Sequence, residues 1–93
     1  MAISVGVGPA TATALASTLT RVDTASGVQS FDVSCDADLY LVYSDALDDG
    51  GALPAAYLRI PANVVYTVLP LGPRILLAAA SGTPTVTLIG LPV

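Results

Sequence analysis

The sequence predicts an all-β protein, a small antiparallel β-sandwich or jelly-roll-like domain of about seven or eight short strands with an extended N-terminal arm. Three observations carry that reading. Every strong hydrophobic periodicity in the chain has a period of two, the mark of a strand with one covered face. Turn clusters of Gly, Pro, Asn and Asp recur about every 8–12 residues, the spacing of sandwich strands. Lys and Glu, which clothe the outer faces of helices, are absent from the 93 residues; the charged set is seven Asp and three Arg, with no His.

Taken in order, Ala2 to Val7 alternates as a short strand that Gly8-Pro9 breaks. Ala10 to Thr20 is built of Ala, Thr, Ser and Leu, and its threonines and flanking turns favour an extended arm over a helix. The expected organisation is therefore a strand and arm over residues 1–20 and a sandwich over residues 21–93. Ser17 to Val22 alternates, and Asp23 to Gly27 is a turn cluster. Val28 to Cys35 sets Phe31, Val33 and Cys35 on one face and Ser30, Asp32 and Ser34 on the other, a half-buried strand. Leu39 to Tyr43 is apolar on both faces and belongs at the centre of a sheet. Ser44 to Pro54 is the longest loop. Ala55 to Ile60 and Val64 to Leu69 are further strands, parted by the turn triplet Pro61-Ala62-Asn63.

The chain closes on Arg74 to Gly90, read as a β-hairpin around which the rest is organised. Its turn is Ser81-Gly82-Thr83-Pro84: Gly82 supplies positive φ, and Pro84, with no amide hydrogen, suits the start of a strand. Such a turn sets Val86 opposite Ala79 and Leu88 opposite Leu77, with Thr87 by Ala78 and Ile89 by Leu76 on the other face. A slip by two residues changes partners but not faces. Neither face is polar, so both strands are expected to be covered on both sides.

Composition narrows the function. The chain is 54% hydrophobic and 11% charged, where an ordinary soluble domain is roughly one-quarter charged. A chain this short buries only about two-thirds of its unfolded surface. Apolar surface is left over, and another subunit is the simplest cover for it. The net charge of −4, with Arg21, Arg59 and Arg74 the only cations, argues against nucleic acid and against an anionic membrane. Cys35 is the single cysteine and reads as a small buried hydrophobe. Ala2 to Val7 is too short and too glycine-broken for a signal peptide, and Ile60 to Ala80 is too interrupted by Pro61, Pro70, Pro73 and Arg74 to span a membrane. The expectation is a protein made in a cytoplasm that stays soluble.

No constellation suits catalysis, a metal or a cofactor. Asp45-Ala-Leu-Asp-Asp-Gly50 has the wrong ligand spacing for calcium and no closing Glu, so a solvated turn is expected. Asp36 and Asp38 share a face but lack a base or aromatic platform beside them, and read as the polar start of a strand. Gly6-Val-Gly8 is followed by no third glycine, Lys or helix start, so it is no phosphate loop. Ser81-Gly82 lacks the nucleophile elbow, the chain has no His to serve as base, and one Cys without His does not hold zinc. Among the rings, Tyr40 falls on the face opposite Tyr43, so at least one of them looks outward. An outward Tyr either anchors an interface or stacks on a sugar, and the competing reading is a core ring whose hydroxyl reaches the surface.

The order Leu39-Tyr-Leu-Val-Tyr43, acidic Gly loop, Tyr57-Leu-Arg-Ile-Pro61, Val64 to Leu69 and the Arg74-to-Leu88 ending resembles the small β-sandwich virion proteins of tailed bacteriophages. The nearest style is that of capsid decoration, or cement, proteins. The resemblance runs over roughly residues 28 to 90 as a style of pattern. It implies a non-enzymatic protein that binds the outer surface of a phage capsid, reinforces the shell and works as a homo-oligomer, most commonly a trimer. The major capsid protein is then its partner and the virion its location. Tail and fibre modules share the style and imply instead a host receptor or glycan as partner. A subunit of a non-viral surface or spore array is a third reading. On any of them the residues offered for an interface are Leu39, Tyr40, Tyr43, Tyr57, Arg59, Arg74, Leu76 and Ile89.

Overall fold

A computed structural model of the chain describes residues 2–70 and 73–92. The described residues form no helix and nine strands: β1 (Ile3–Val5), β2 (Gly8–Thr13), β3 (Thr20–Thr24), β4 (Val28–Cys35), β5 (Leu39–Tyr43), β6 (Leu58–Ile60), β7 (Tyr66–Val68), β8 (Ile75–Ala79) and β9 (Thr85–Pro92). They make two sheets, one of five strands in the order β1-β3-β8-β5-β6 and one of four in the order β2-β9-β4-β7. All named pairs are antiparallel except β1 with β3, where Ile3 stands by Val22 in parallel register. The protein is a small all-β sandwich, as the two-residue periodicity predicts.

The core fills the space between the sheets. From the four-stranded sheet come Phe31, Val33 and Cys35 of β4 and Val86 and Leu88 of β9. From the five-stranded sheet come Leu39 and Leu41 of β5 and Ile75, Leu77 and Ala79 of β8. Phe31 is the largest of these and is fully buried. Burying a side chain of Leu or Phe size contributes about 1.5–3 kcal/mol, so this one layer supplies most of the drive to fold. The half-buried strand at Val28 to Cys35 is β4, with the faces the sequence assigns.

The terminal hairpin does not form. β8 lies in one sheet between β3 and β5, and β9 lies in the other between β2 and β4. The Ser81–Pro84 turn, with Gly82 at φ 65°, carries the chain from one sheet to the other. Val86, Leu88, Leu77 and Ala79 therefore meet across the core rather than side by side along a ladder. The two strands also differ in burial. All five residues of β8 are buried, whereas β9 alternates, with Thr85, Ile89 and Leu91 exposed and Thr87 half-buried. Coverage on both sides holds for β8 and fails for β9.

What covers the outer face of β8 is the chain itself. Leu76 and Ala78 pack with Leu19 and Val42, and Leu47 and Leu53 of the long loop close over them. Leu19 exchanges main-chain hydrogen bonds with Gly50 and Gly51, at 2.8 Å each, and Leu53 donates to Ser17 O at 3.3 Å. The two-sided apolar pattern of β8 thus reflects an internal flap, not a subunit interface.

Residues 2–20 form no helix and run extended except for a tight turn at Ser17, φ 54°, where Leu15 bridges Thr18; they lie on the sandwich rather than reaching away as an arm. β2 is the strand beyond the expected count, and its six residues pair with β9 from Gly8↔Gly90 to Thr13↔Thr85. Ala14 and Leu19 are fully buried. A Cβ on Gly90 would fall onto the Gly6 carbonyl oxygen, so a glycine is required where the N-terminal segment crosses β9.

Candidate assembly surface

Each sheet ends in a free strand on either side, β1 and β2 on one flank of the sandwich and β6 and β7 on the other. The connection Pro61–Val65 between β6 and β7 steps from one sheet to the other, so the two short strands form a single lateral edge. Asp38 holds that step in place: its Oδ1 accepts the Ala62 main-chain N–H at 2.9 Å, and Arg59 Nη2 donates to Oδ2 at 2.7 Å. These bonds, the Arg59 guanidinium first and the Ala62 amide second, hold the Asp38 carboxyl below its ordinary pKa. Asn63 N donates to Cys35 O at 2.8 Å and adopts φ 63° to turn the chain.

The edge is apolar. Tyr57, Leu58, Val64, Val65 and Leu69 are all exposed along it, with Val65 at 65%. Tyr43, at the end of β5, is exposed beside them. Burial, then the neighbouring Tyr66 phenol, raises the Tyr43 pKa. From Ile60 to Pro73 the sequence carries no charged residue. Natural sheet edges are usually guarded by Lys, by inward charges or by a covering loop. Here the charges at the edge are Arg59, on β6 and turned onto Asp38, and Asp32 of β4, which accepts the Thr67 hydroxyl of β7 at 2.7 Å.

On the outer side of β5 and β6 the Tyr40 and Tyr57 rings lie 4.2 Å apart at a tilt of 41°. Tyr40 stands opposite Arg59 in the β5–β6 register. Burial, then the Tyr57 phenol, raises the Tyr40 pKa. Four of the residues offered by the sequence, Tyr40, Tyr43, Tyr57 and Arg59, therefore gather at this end of the molecule.

The other four do not. Leu39 is fully buried in the core between the sheets, and Leu76 is fully buried beneath Leu47 and Leu53, so neither is available to a partner. Arg74 clasps the long loop, donating from Nη1 to Leu47 O at 3.1 Å. Ile89 is exposed on the outer face of β9, flanked in register by Pro9 and Asp32, and β4 separates its strand from β7. Leu58, Val64, Val65 and Leu69 were missed by the sequence reading. The signal for them was present: two adjacent valines break the alternation, within a run of fourteen residues, Ile60 to Pro73, without charge.

The acidic groups considered for metal or acid–base work are otherwise engaged. Asp45 Oδ1 accepts the Arg74 main-chain N–H and Asp49 Oδ1 that of Arg21, each at 3.0 Å, while Arg21 Nη1 reaches Asp48 at 3.3 Å. Asp36 lies beside Cys35 Sγ at 3.8 Å, and Asp38 is turned to Arg59. Among the described residues no three His, Cys, Asp or Glu side chains come together as a metal site would need. Compared with known proteins, the chain matches no family model, and no significant similarity to a curated protein or to a solved structure is found.

Proposed function

We propose that this protein is a structural subunit of a phage virion that binds the outer surface of the capsid as a homo-oligomer, a trimer in the commonest arrangement, and reinforces the shell. The observation that carries the reading is the β6–β7 edge. It is exposed and largely apolar, its one cation Arg59 paired with Asp38, on a sandwich whose acidic side chains are committed to internal bonds. The resemblance of residues 28 to 90 to decoration proteins supplies the partner, the major capsid protein. A rigid oligomer that touches several shell subunits at once gains avidity and opposes the outward pressure of a packaged genome. With few charges to steer encounter, its binding depends weakly on salt.

A second reading has its own observation, the Tyr40–Tyr57 ring pair beside the Arg59–Asp38 ion pair, a stacking platform with polar groups at its rim. That arrangement suits a tail or fibre module that binds a glycan. Cosedimentation of the purified protein with capsids stripped of decoration, against host envelopes, separates the two. The proposal expects saturable binding to capsids and a gain in their heat resistance. Binding to envelopes alone overturns it.

A further inference from the structure

The flank opposite the β6–β7 edge is built differently. Between β1 and β2 a groove of about 430 Å³ opens, lined by Ile3, Thr11, Ala12, Thr13, Leu15 and Thr20 among others. Its volume lies in the range of pockets that enclose whole ligands. Its walls are methyl and hydroxyl groups, and no charged residue occurs anywhere in the first twenty residues. The ten charged side chains of the protein thus lie outside Met1–Thr20 and outside Ile60–Pro73. The first flank is a groove without charged side chains, and the other presents projecting Leu and Val side chains beside the Arg59–Asp38 ion pair.

We propose that two copies of this chain join head to tail, the β6–β7 edge of one seated in the β1–β2 groove of the next. The inference rests on the self-association proposed above and specifies its geometry. Three features favour a second copy as occupant. In a chain of net charge −4, a groove without charged side chains and an edge whose cation is neutralised by Asp38 are where two copies approach with least repulsion. The edge gathers five exposed large apolar side chains, Tyr57, Leu58, Val64, Val65 and Leu69, into one patch, the kind of surface that marks a protein interface. Strands on both flanks have an unpaired edge, so β7 of one copy and β2 of the next can continue the four-stranded sheet.

Because edge and groove are different surfaces, the contact is heterologous. A heterologous contact closes into a ring when the rotation allows, and a trimer is a ring of this kind. An isologous contact through the edge alone would leave the groove empty.

The distinction is testable by mixing. Val65→Asp disables the edge and Leu15→Asp the groove, and both sites are exposed, so the fold is expected to survive; circular dichroism checks it. Val64→Asp and Thr11→Arg replace either variant that fails to fold. Sedimentation equilibrium is expected to show each single variant as a monomer of 9.3 kDa. An equimolar mixture is expected to form a dimer of twice that mass and no larger species, since each dimer retains one disabled surface at either end. Wild-type assembly by Leu15→Asp, or a mixture that stays monomeric, overturns the head-to-tail geometry. Capsid cosedimentation of the wild type is read separately: its loss with the mixing result intact overturns the decoration role and leaves the geometry standing.

Discussion

Leu58 stands opposite Leu41 in the β5–β6 register, on the same core-facing side, yet Leu41 is 1% exposed and Leu58 is 42% exposed. The sandwich closes over β5 and opens at β6, because the opposing sheet ends at β7 and offers Leu58 no cover. An inward-facing leucine left in water is the feature of this flank that the proposed self-association would cover.

That contrast sets a pair of expected outcomes in urea denaturation. Leu41→Ala removes packed atoms from the core and costs about 2–5 kcal/mol. Leu58→Ala removes atoms that are half in water, and the monomer loses under about 1 kcal/mol. On the proposed self-association, Leu58→Ala is expected to weaken assembly while leaving each subunit folded, which sedimentation equilibrium reads.

Gly90 and Gly6 supply a second prediction. A methyl group at residue 90 collides with the Gly6 carbonyl, which belongs to main chain and cannot swing aside. Gly90→Ala is expected to lower the urea midpoint by an amount equivalent to about 1–3 kcal/mol, with faster hydrogen exchange along β2 as its docking on β9 loosens. Gly90→Ala with an unchanged midpoint contradicts the close approach.

Stability against pH follows from which groups titrate. The chain has no His and no Glu, so between about pH 5 and 7 unfolding free energy is expected to stay level. Asp38, held low by Arg59 and Ala62, and Asp48, held low first by the Asp49 main-chain amide, have folded pKa values below their unfolded ones. Their contribution is present above about pH 4 and is lost as pH falls through the lowered values. Tyr40 and Tyr43 carry the reverse sign at the alkaline end. Their raised pKa values disfavour the phenolate in the folded state, so stability is expected to fall above about pH 10. Midpoints measured from acid to alkali check both limbs, and Asp38→Asn should flatten the acid one.

Much of the fold was legible because alternation reports burial directly. Phe31, Val33 and Cys35 of β4 and the central place of Leu39 to Tyr43 follow from period and composition alone. The pairing of strands was less so. β5 and β6 are the consecutive strands that pair within one sheet; the other named connections cross between sheets. A turn between sheets uses the same Gly and Pro chemistry as a turn within one, so Ser81–Pro84 reads as a hairpin. The mismatch between Ile75–Ala79, apolar throughout, and Thr85–Leu88, which alternates, was the clue against it. Strands side by side share the cover on each face, and these two do not. Tyr40, Tyr43, Tyr57 and Arg59 converge at one end of the molecule, whereas Leu76 is covered by Leu47 and Leu53 of a loop whose return onto β8 leaves no periodic trace in the sequence.

The proposed self-association brings copies of the chain together through apolar flanks rather than through ion pairs. Sedimentation equilibrium of the wild-type protein at pH 7, from low salt to about 1 M, tests it most directly, since at that ionic strength charge–charge contacts are screened within about 3 Å. The expected result is a fixed multiple of 9.3 kDa, three in the commonest arrangement, that persists or tightens as salt rises. A 9.3 kDa monomer at every concentration, or an oligomer that dissolves in salt, would contradict it.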